Sequence, residues 1–336
     1  MNNAAAKIAP QPQHVPVLIN KIIDNVNLAG TWVDGTFGAG GYSRALLNEG
    51  VTKIIAIDRD PSVAKTAASL SEEFPGRVQF KAGNFSELDT LINNEAHLAG
   101  IVLDLGVSSM QVDQPDRGFS FSKDGPLDMR MGTSNLTAYD IVNGFDEADI
   151  ADILFQYGEE KASRKIAKAI VMLRPIVSTL QLADIIKQTV NKPGSSKIHA
   201  ATKSFQALRI AVNNELAELI MGLEAAERLL PPGGELAIVT FHSLEDRIVK
   251  KFLGARSGID RSVSRYMPAV KYAESSFHAN RANPYRADAE EVSFNPRSRS
   301  AKLRIARRTE AMYHKINRDR LGLPKLTQEA LEKCDY

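Results

Sequence analysis

Four short apolar runs alternate with amphipathic stretches between Trp32 and Leu105, and this alternation restricts the chain more than any other feature. The runs are Trp32-Val33-Asp34, residues 53–57 (KIIAI), 78–81 (VQFK) and 100–105 (GIVLDL). Helical spacing fills the intervals at residues 42–49, 61–74 and 86–93. Strands that alternate with helices pair in parallel and carry helices on both faces, so the expected fold class is α/β with a doubly wound sheet.

The alternation then stops. Residues 111–137 read as a loop, with Gly118, Gly125, Pro126 and Gly132. Helical signals follow at 147–157, 161–173, 180–190 and 199–230, separated by Pro175 and Pro193-Gly194. A strand returns at 234–241 and a helix at 243–253. The implied organisation is one α/β domain, 15–112 with 215–336, interrupted by an all-helical insertion at 113–214. Residues 254–296 read as loop, and 301–307 (AKLRIAR) as a last, edge strand. Residues 1–14 have one Lys and no apolar core, so they read as a flexible tail rather than a signal peptide.

Composition narrows the class. Apolar residues at 43% and charged residues at 24% fit a folded chain rather than a disordered one. The single cysteine, Cys334, excludes a disulfide framework and a cysteine zinc site, fits a reducing compartment, and stands where a frayed terminus makes a poor nucleophile. No apolar run reaches 18 residues, so no membrane partner and a cytoplasmic location are expected. Net charge is +2, but residues 247–336 hold 20 basic and 10 acidic residues, so the first 246 carry −8. A basic C-terminal quarter points to a polyanionic partner.

The sharpest local signal is Val33-Asp34-Gly35-Thr36-Phe37-Gly38-Ala39-Gly40-Gly41, between a strand and a helix. Glycines there let backbone approach a ligand, and the helix N-terminus beyond favours a negative group. The dinucleotide fingerprint fails, because Ser43 stands where its third glycine belongs. An acid before the loop, Asp34, would repel a pyrophosphate but suits the ammonium and sulfonium of S-adenosylmethionine. Asp58, 20 residues after Gly38 and at a strand end, is spaced to accept hydrogen bonds from a ribose diol. Asp60 and Pro61 read as a helix start. Asn84-Phe85 is suited to an adenine, with Phe85 as core residue the alternative.

Asp104, at the carboxyl end of a strand, is expected near the transferred group. The long segment after it contains Phe119 and Phe121, either of which can stack on an extruded base or anchor the loop. His242 ends the next strand and is the histidine best placed to face the site, as a substrate contact or in proton transfer, with Ser243 and Asp246 spaced as a capping box. Arg297, Arg299 and the residues from Arg304 to Arg308 have the composition of phosphate contacts, with a solvated basic face the alternative.

Taken together, DGTFGAGG, AIDRDP, LDLGVSS, RGFSF, DGPLDMRM, YGEE, FQALRIAVNNEL, PGGELAIVTFHSLEDRIVK and NPRSRS resemble the bacterial MraW/RsmH family across residues 14–308. The resemblance implies a Rossmann-like class I methyltransferase fold with a helical, RNA-recognising insertion. It implies S-adenosylmethionine as cofactor, with no metal required, and 16S ribosomal RNA of the small subunit as partner. The reaction it implies is N4-methylation of a cytidine near the P site, and it leaves a homodimer open. Family cofactor contacts fall on Gly40, Gly41, Tyr42, Asp58, Phe85, Asp104 and Gln111; the residues themselves add Asp34 and Gly38. Two positions depart from the family: Tyr42 stands where His is common, and His199-Ala200-Ala201-Thr202 where His-Pro-Ala-Thr is common. Methylation at cytosine C5 needs a covalent nucleophile, usually cysteine, so a lone Cys334 favours the exocyclic amine. Asp104 is the candidate acceptor for its hydrogens. A nicotinamide-dependent oxidoreductase and a non-catalytic RNA-binding assembly factor are the competing functions.

Overall fold

A computed structural model describes residues 15–92, 98–132, 134–190, 199–258, 274–280, 283–326 and 334. The expected tail at 1–14 lies outside them, as does part of the loop at 254–296. Seven strands form one sheet: β1 (Thr31–Asp34), β2 (Lys53–Asp58), β3 (Val78–Ala82), β4 (Leu98–Asp104), β5 (Glu235–Thr240), β6 (Phe277–Ala279) and β7 (Lys302–Arg308), in the order β3-β2-β1-β4-β5-β7-β6. The first five run parallel; β7 pairs antiparallel with both β5 and β6. β7 is therefore internal rather than the expected edge. The three-residue β6 that covers it is too short to leave a periodic signal.

Alternation along the strands sorts side chains to the two faces. Trp32, Ile54, Ala56, Val102 and Val239 pack with α1 (Ile19–Ile23), α2 (Gly41–Asn48) and α3 (Ala64–Glu73). Val33, Ile55, Ile57, Ile101, Leu103 and Ile238 face the opposite layer. That layer begins with α4 (Leu88–Leu91) and a short α5 (Ser109–Asp113). It continues through α6 (Ala138–Gly144), α7 (Glu147–Gly158), α8 (Ser163–Met172), α9 (Thr179–Val190) and α10 (Thr202–Asn213). It ends with α11 (Glu215–Leu229) and α12 (Ser243–Ser257), while α13 (Ala289–Phe294) precedes β7. The architecture is thus the expected doubly wound α/β sheet with a helical insertion. The apolar core of the second face runs without a break from Val33 and Leu103 through Phe119, Leu127 and Met131 into Ile150, Ile166 and Ile186 of the insertion.

Two local expectations are corrected. The cap of α12 is His242 with Glu245, one residue earlier than Ser243 with Asp246: Nδ1 of His242 accepts from the Glu245 N–H, and the Glu245 carboxylate accepts from the His242 N–H. The shift leaves Ser243 Oγ to donate to Glu159 at 2.6 Å and Asp246 to pair with Lys302 and Arg304. Cys334 is buried among apolar side chains, so it is held, not frayed.

The tightest steric constraint joins β1 to β4. Trp32 is opposite Gly100, and a Cβ at Gly100 would stand 2.5 Å from the indole ring, which is fully buried. Gly100→Val should therefore cost about 1–3 kcal/mol by overpacking, read as a lower urea midpoint at unchanged slope.

Candidate active site

The carboxyl ends of β1, β2, β4 and β5 open into a cavity of about 590 Å³, within the usual size of a small-molecule site. Its floor is the turn after β1. Gly38 and Gly40 have φ of 50° and 74°, the left-handed region that glycine enters without strain. Backbone bonds tie this turn to both neighbours of β1: Gly35 N–H to Val102 O and Phe37 N–H to Ile57 O, each 3.0 Å. Gly40 caps α2 with no side-chain acceptor of its own, and of the first-turn N–H groups that of Ser43 bonds the Asp34 carboxyl.

Three strands end in carboxyl groups around this turn. Asp58 Oδ2 accepts from Gly38 N–H at 2.7 Å and Oδ1 from Asp60 N–H at 2.9 Å, which locks the loop to β2. Burial pushes its carboxyl up, against those two N–H groups. Asp104 lines the cavity with Oδ1 buried and unpartnered. Burial, then the charge of Asp34, holds its carboxyl well above the usual range. Asp34 itself is fully buried beneath the turn, accepting from Ser43 Oγ at 2.7 Å and Thr36 N–H at 3.3 Å. Neither Asp34 nor Gly40 lines the cavity; both shape the turn that does.

Gly38, Gly41, Tyr42, Asp58, Phe85 and Gln111 all line the cavity with Asp104. Tyr42 spans to the segment before α1, its hydroxyl donating to Val17 O at 2.5 Å. Burial, then the nearby Asp104 carboxyl, pushes its phenol well up. Gln111 is oriented at both ends: Nε2 donates to Asp60 at 2.9 Å and Oε1 accepts from Ser108 N–H at 3.1 Å. Arg297 and Arg299 also reach the wall. Phe119 and Phe121 do not. Phe119 is buried in the core, and Phe121 stacks on His199 at 4.7 Å and meets Phe205 edge-on. His242 stands behind Glu245, its Nε2 3.0 Å from Oε1 but off the line of a hydrogen bond.

The far wall holds residues that spacing alone left unassigned. Arg209 on α10 grips Glu215 through two 2.7 Å bonds, across the left-handed turn at Asn214, whose φ is 50°. Glu218, Leu219 and Glu245 continue the wall. The signal was present in FQALRIAVNNEL, but only the fold shows that its Arg and Glu face one cavity. Glu215, His242 and Glu245 place ligand-type atoms within 4.8 Å of one another. Both Glu215 oxygens are engaged by Arg209, and Glu245 Oε2 by the N–H groups of Phe241 and His242. Burial alone would raise Glu245; His242 and Arg209 hold it below its ordinary value. The trio is a paired network rather than an open cation cage.

A parallel sheet closed by an antiparallel strand, a glycine turn over β1 and acids at the ends of β1, β2 and β4 define a Rossmann-like class I methyltransferase. The chain belongs to the MraW methylase family, whose model matches residues 11–309. It is 54% identical over 310 residues to a "Ribosomal RNA small subunit methyltransferase H" of Methylorubrum extorquens, covering 90% of this chain and 88% of that protein. It is 49% identical over 330 residues to a protein of that name from Cereibacter sphaeroides, covering 97% and 99%.

Asp34 yields a pH prediction. Burial raises its carboxyl from 3.8 to about 6, against the pull of Ser43 and Thr36. A group whose folded pKa is raised contributes stability that is present below its unfolded pKa and lost as pH climbs through the folded one. Between pH 4 and 7 the wild type should thus lose about 2.4 kcal/mol relative to Asp34→Asn. Urea unfolding of both proteins across that range checks it: parallel stability curves would refute the assignment.

Proposed function

We propose that this chain uses S-adenosylmethionine to methylate the exocyclic N4 of a cytidine in 16S ribosomal RNA, near the P site of the small subunit, in the cytoplasm. The relatives' names support the small-subunit RNA as substrate. The observation that carries the chemistry is the unpartnered, buried Asp104 oxygen at the cavity wall.

The residues fit this cofactor. A buried carboxyl oxygen without a partner is costly unless a positive group or donor meets it, and S-adenosylmethionine brings both an ammonium and a sulfonium. Asp58 retains lone pairs for a ribose diol, the α2 N-terminus suits a carboxylate, and Asn84 and Phe85 flank the place for an adenine. When bound, the cofactor supplies an activated methyl group.

The protein's own task is orientation. The exocyclic amine of cytosine is a weak nucleophile because its lone pair is conjugated with the ring. Asp104, accepting from an N4 hydrogen, turns that lone pair out of conjugation and toward the donor. A cationic ligand beside Asp104 draws its raised pKa down, so the carboxylate form needed for this role is favoured when the site is filled. Positioning of two reactants supplies most of the acceleration. Cys334, the only cysteine, is not among the cavity residues, which disfavours covalent attack on the ring and methylation at C5.

Small subunits from a strain lacking this protein, incubated with labelled cofactor and digested to nucleosides, should yield 4-methylcytidine; 5-methylcytidine or no label would overturn the proposal. Asp104→Asn should lower kcat by about 10²–10⁴ while the Kd for S-adenosylmethionine changes far less. If Kd alone moves, Asp104 binds cofactor without orienting the base.

A further inference from the structure

Residues 161–174 contain five basic side chains and no Asp or Glu, within the first 246 residues that carry a net −8. Arg174 is spent on the carbonyls of Val142 and Phe145. Lys161, Arg164, Lys165 and Lys168 are all exposed, and none has an ion-pair or hydrogen-bond partner among the described residues. Arg164, Lys165 and Lys168 share one side of α8, because Ser163, Ile166, Ala167 and Ile170 occupy the buried side, and Lys161 stands in the turn just before the helix. Three positive charges thus stand along about 6 Å of helix, with the fourth in the turn that leads into it. An ordinary solvated face interleaves both signs in i,i+4 pairs; this one carries a single sign, which an external polyanion would neutralise.

Its location is informative. The stripe begins two residues after Glu159, whose carboxylate accepts from Ser243 Oγ at 2.6 Å and Arg247 at 2.7 Å. Ser243 opens α12, and Phe241 and Glu245 beside it line the cavity. The stripe therefore starts close in the chain to a residue tied to the cavity wall, while Arg297 and Arg299 reach the cavity from the C-terminal segment.

We infer that this face of α8 binds the sugar–phosphate backbone of the substrate RNA, holding the strand that flanks the target base. The inference rests on the ribosomal RNA reading above. Phosphate contacts of this kind are sequence-independent and position the nucleic acid, leaving base choice to the cavity.

The test replaces Lys161, Arg164, Lys165 and Lys168 together by Gln, which keeps helix propensity near that of Lys and Arg. A second variant exchanges Lys for Arg and Arg for Lys at the same four positions. Binding to purified small subunits and to protein-free 16S RNA is measured against salt concentration. Losing four phosphate contacts should flatten the log–log salt slope by about 3, on both probes. The KM for subunits should rise at least about tenfold, with kcat and the Kd for S-adenosylmethionine unchanged. The charge-preserving variant should behave as wild type. An unchanged slope in the Gln variant would overturn the inference, as would a loss seen on subunits but not on free RNA, which would assign the stripe to a ribosomal protein. Failure of the wild type to bind either probe would instead overturn the RNA reading beneath it.

Discussion

The cavity exists because β1 has neighbours whose connections leave in opposite directions. β2 follows it through α2, on one face, while β4 on its other side is reached only after β3, and its onward connections cover the second face. Helices diverging from one strand leave a crevice at its carboxyl end that nothing in the sheet can fill. Every other feature of the site follows from what the chain puts there. Backbone bonds from the turn reach both β2 and β4, so its glycines are set by the sheet rather than by their own preference. The acids Asp34, Asp58 and Asp104 end three adjacent strands and are all pushed up by burial. Carboxyl groups raised by burial, one with an oxygen unsatisfied, are drawn to the ionised form by a cation and not by an anion.

The helical insertion is part of this construction. Its α10 brings Arg209 to the cavity, and Arg209 closes on Glu215 at the first turn of α11. Asn213, buried between them, accepts from Met131 N–H at 2.8 Å and donates to Met129 O at 2.7 Å, which fixes the irregular segment leading into the insertion. Glu159 at the end of α7 fastens the same insertion to the start of α12. With one continuous apolar core beneath, the cavity takes its walls from both parts of the chain.

What was legible in the residues was what local physics decides. Strand and helix alternation, the glycine turn, the strand-end acids Asp58 and Asp104, and the Asp60-Pro61 helix start depend on neighbours in sequence. Side-chain direction across the fold does not. Phe119 and Phe121 have the composition of base-stacking residues, yet the core and His199 claim them. His242 stands at the right strand end, yet its ring turns into the cap of α12 and leaves Glu245 at the wall. Tyr42, in place of the family's usual His, keeps a side-chain function because its buried phenol reaches Val17 O.

The charge asymmetry changes meaning when its partners are known. The basic C-terminal quarter invited a polyanion, and Arg304 to Arg308 had the composition of phosphate contacts. In the fold, Lys302 and Arg304 pair with Asp246, Arg307 with Glu235, Arg256 with Glu227, and Arg318 with Glu224. Arg308 is buried and donates to the carbonyls of Glu227 and Ser276. Every one of those acids lies before residue 247. Much of the positive excess of the last quarter therefore answers the negative excess of the rest, fastening β7 and the segments around it onto β5, α11 and α12. A buried pair such as Arg256 with Glu227 is spent on closure, since separating it would strand a charge in the core. The cations left for an external polyanion are those without an internal acid, and α8 with the turn before it collects four of them in the part of the chain whose net charge is negative. Net charge along a sequence locates opposite surfaces that can meet; only the pairing shows whether they meet each other or a partner.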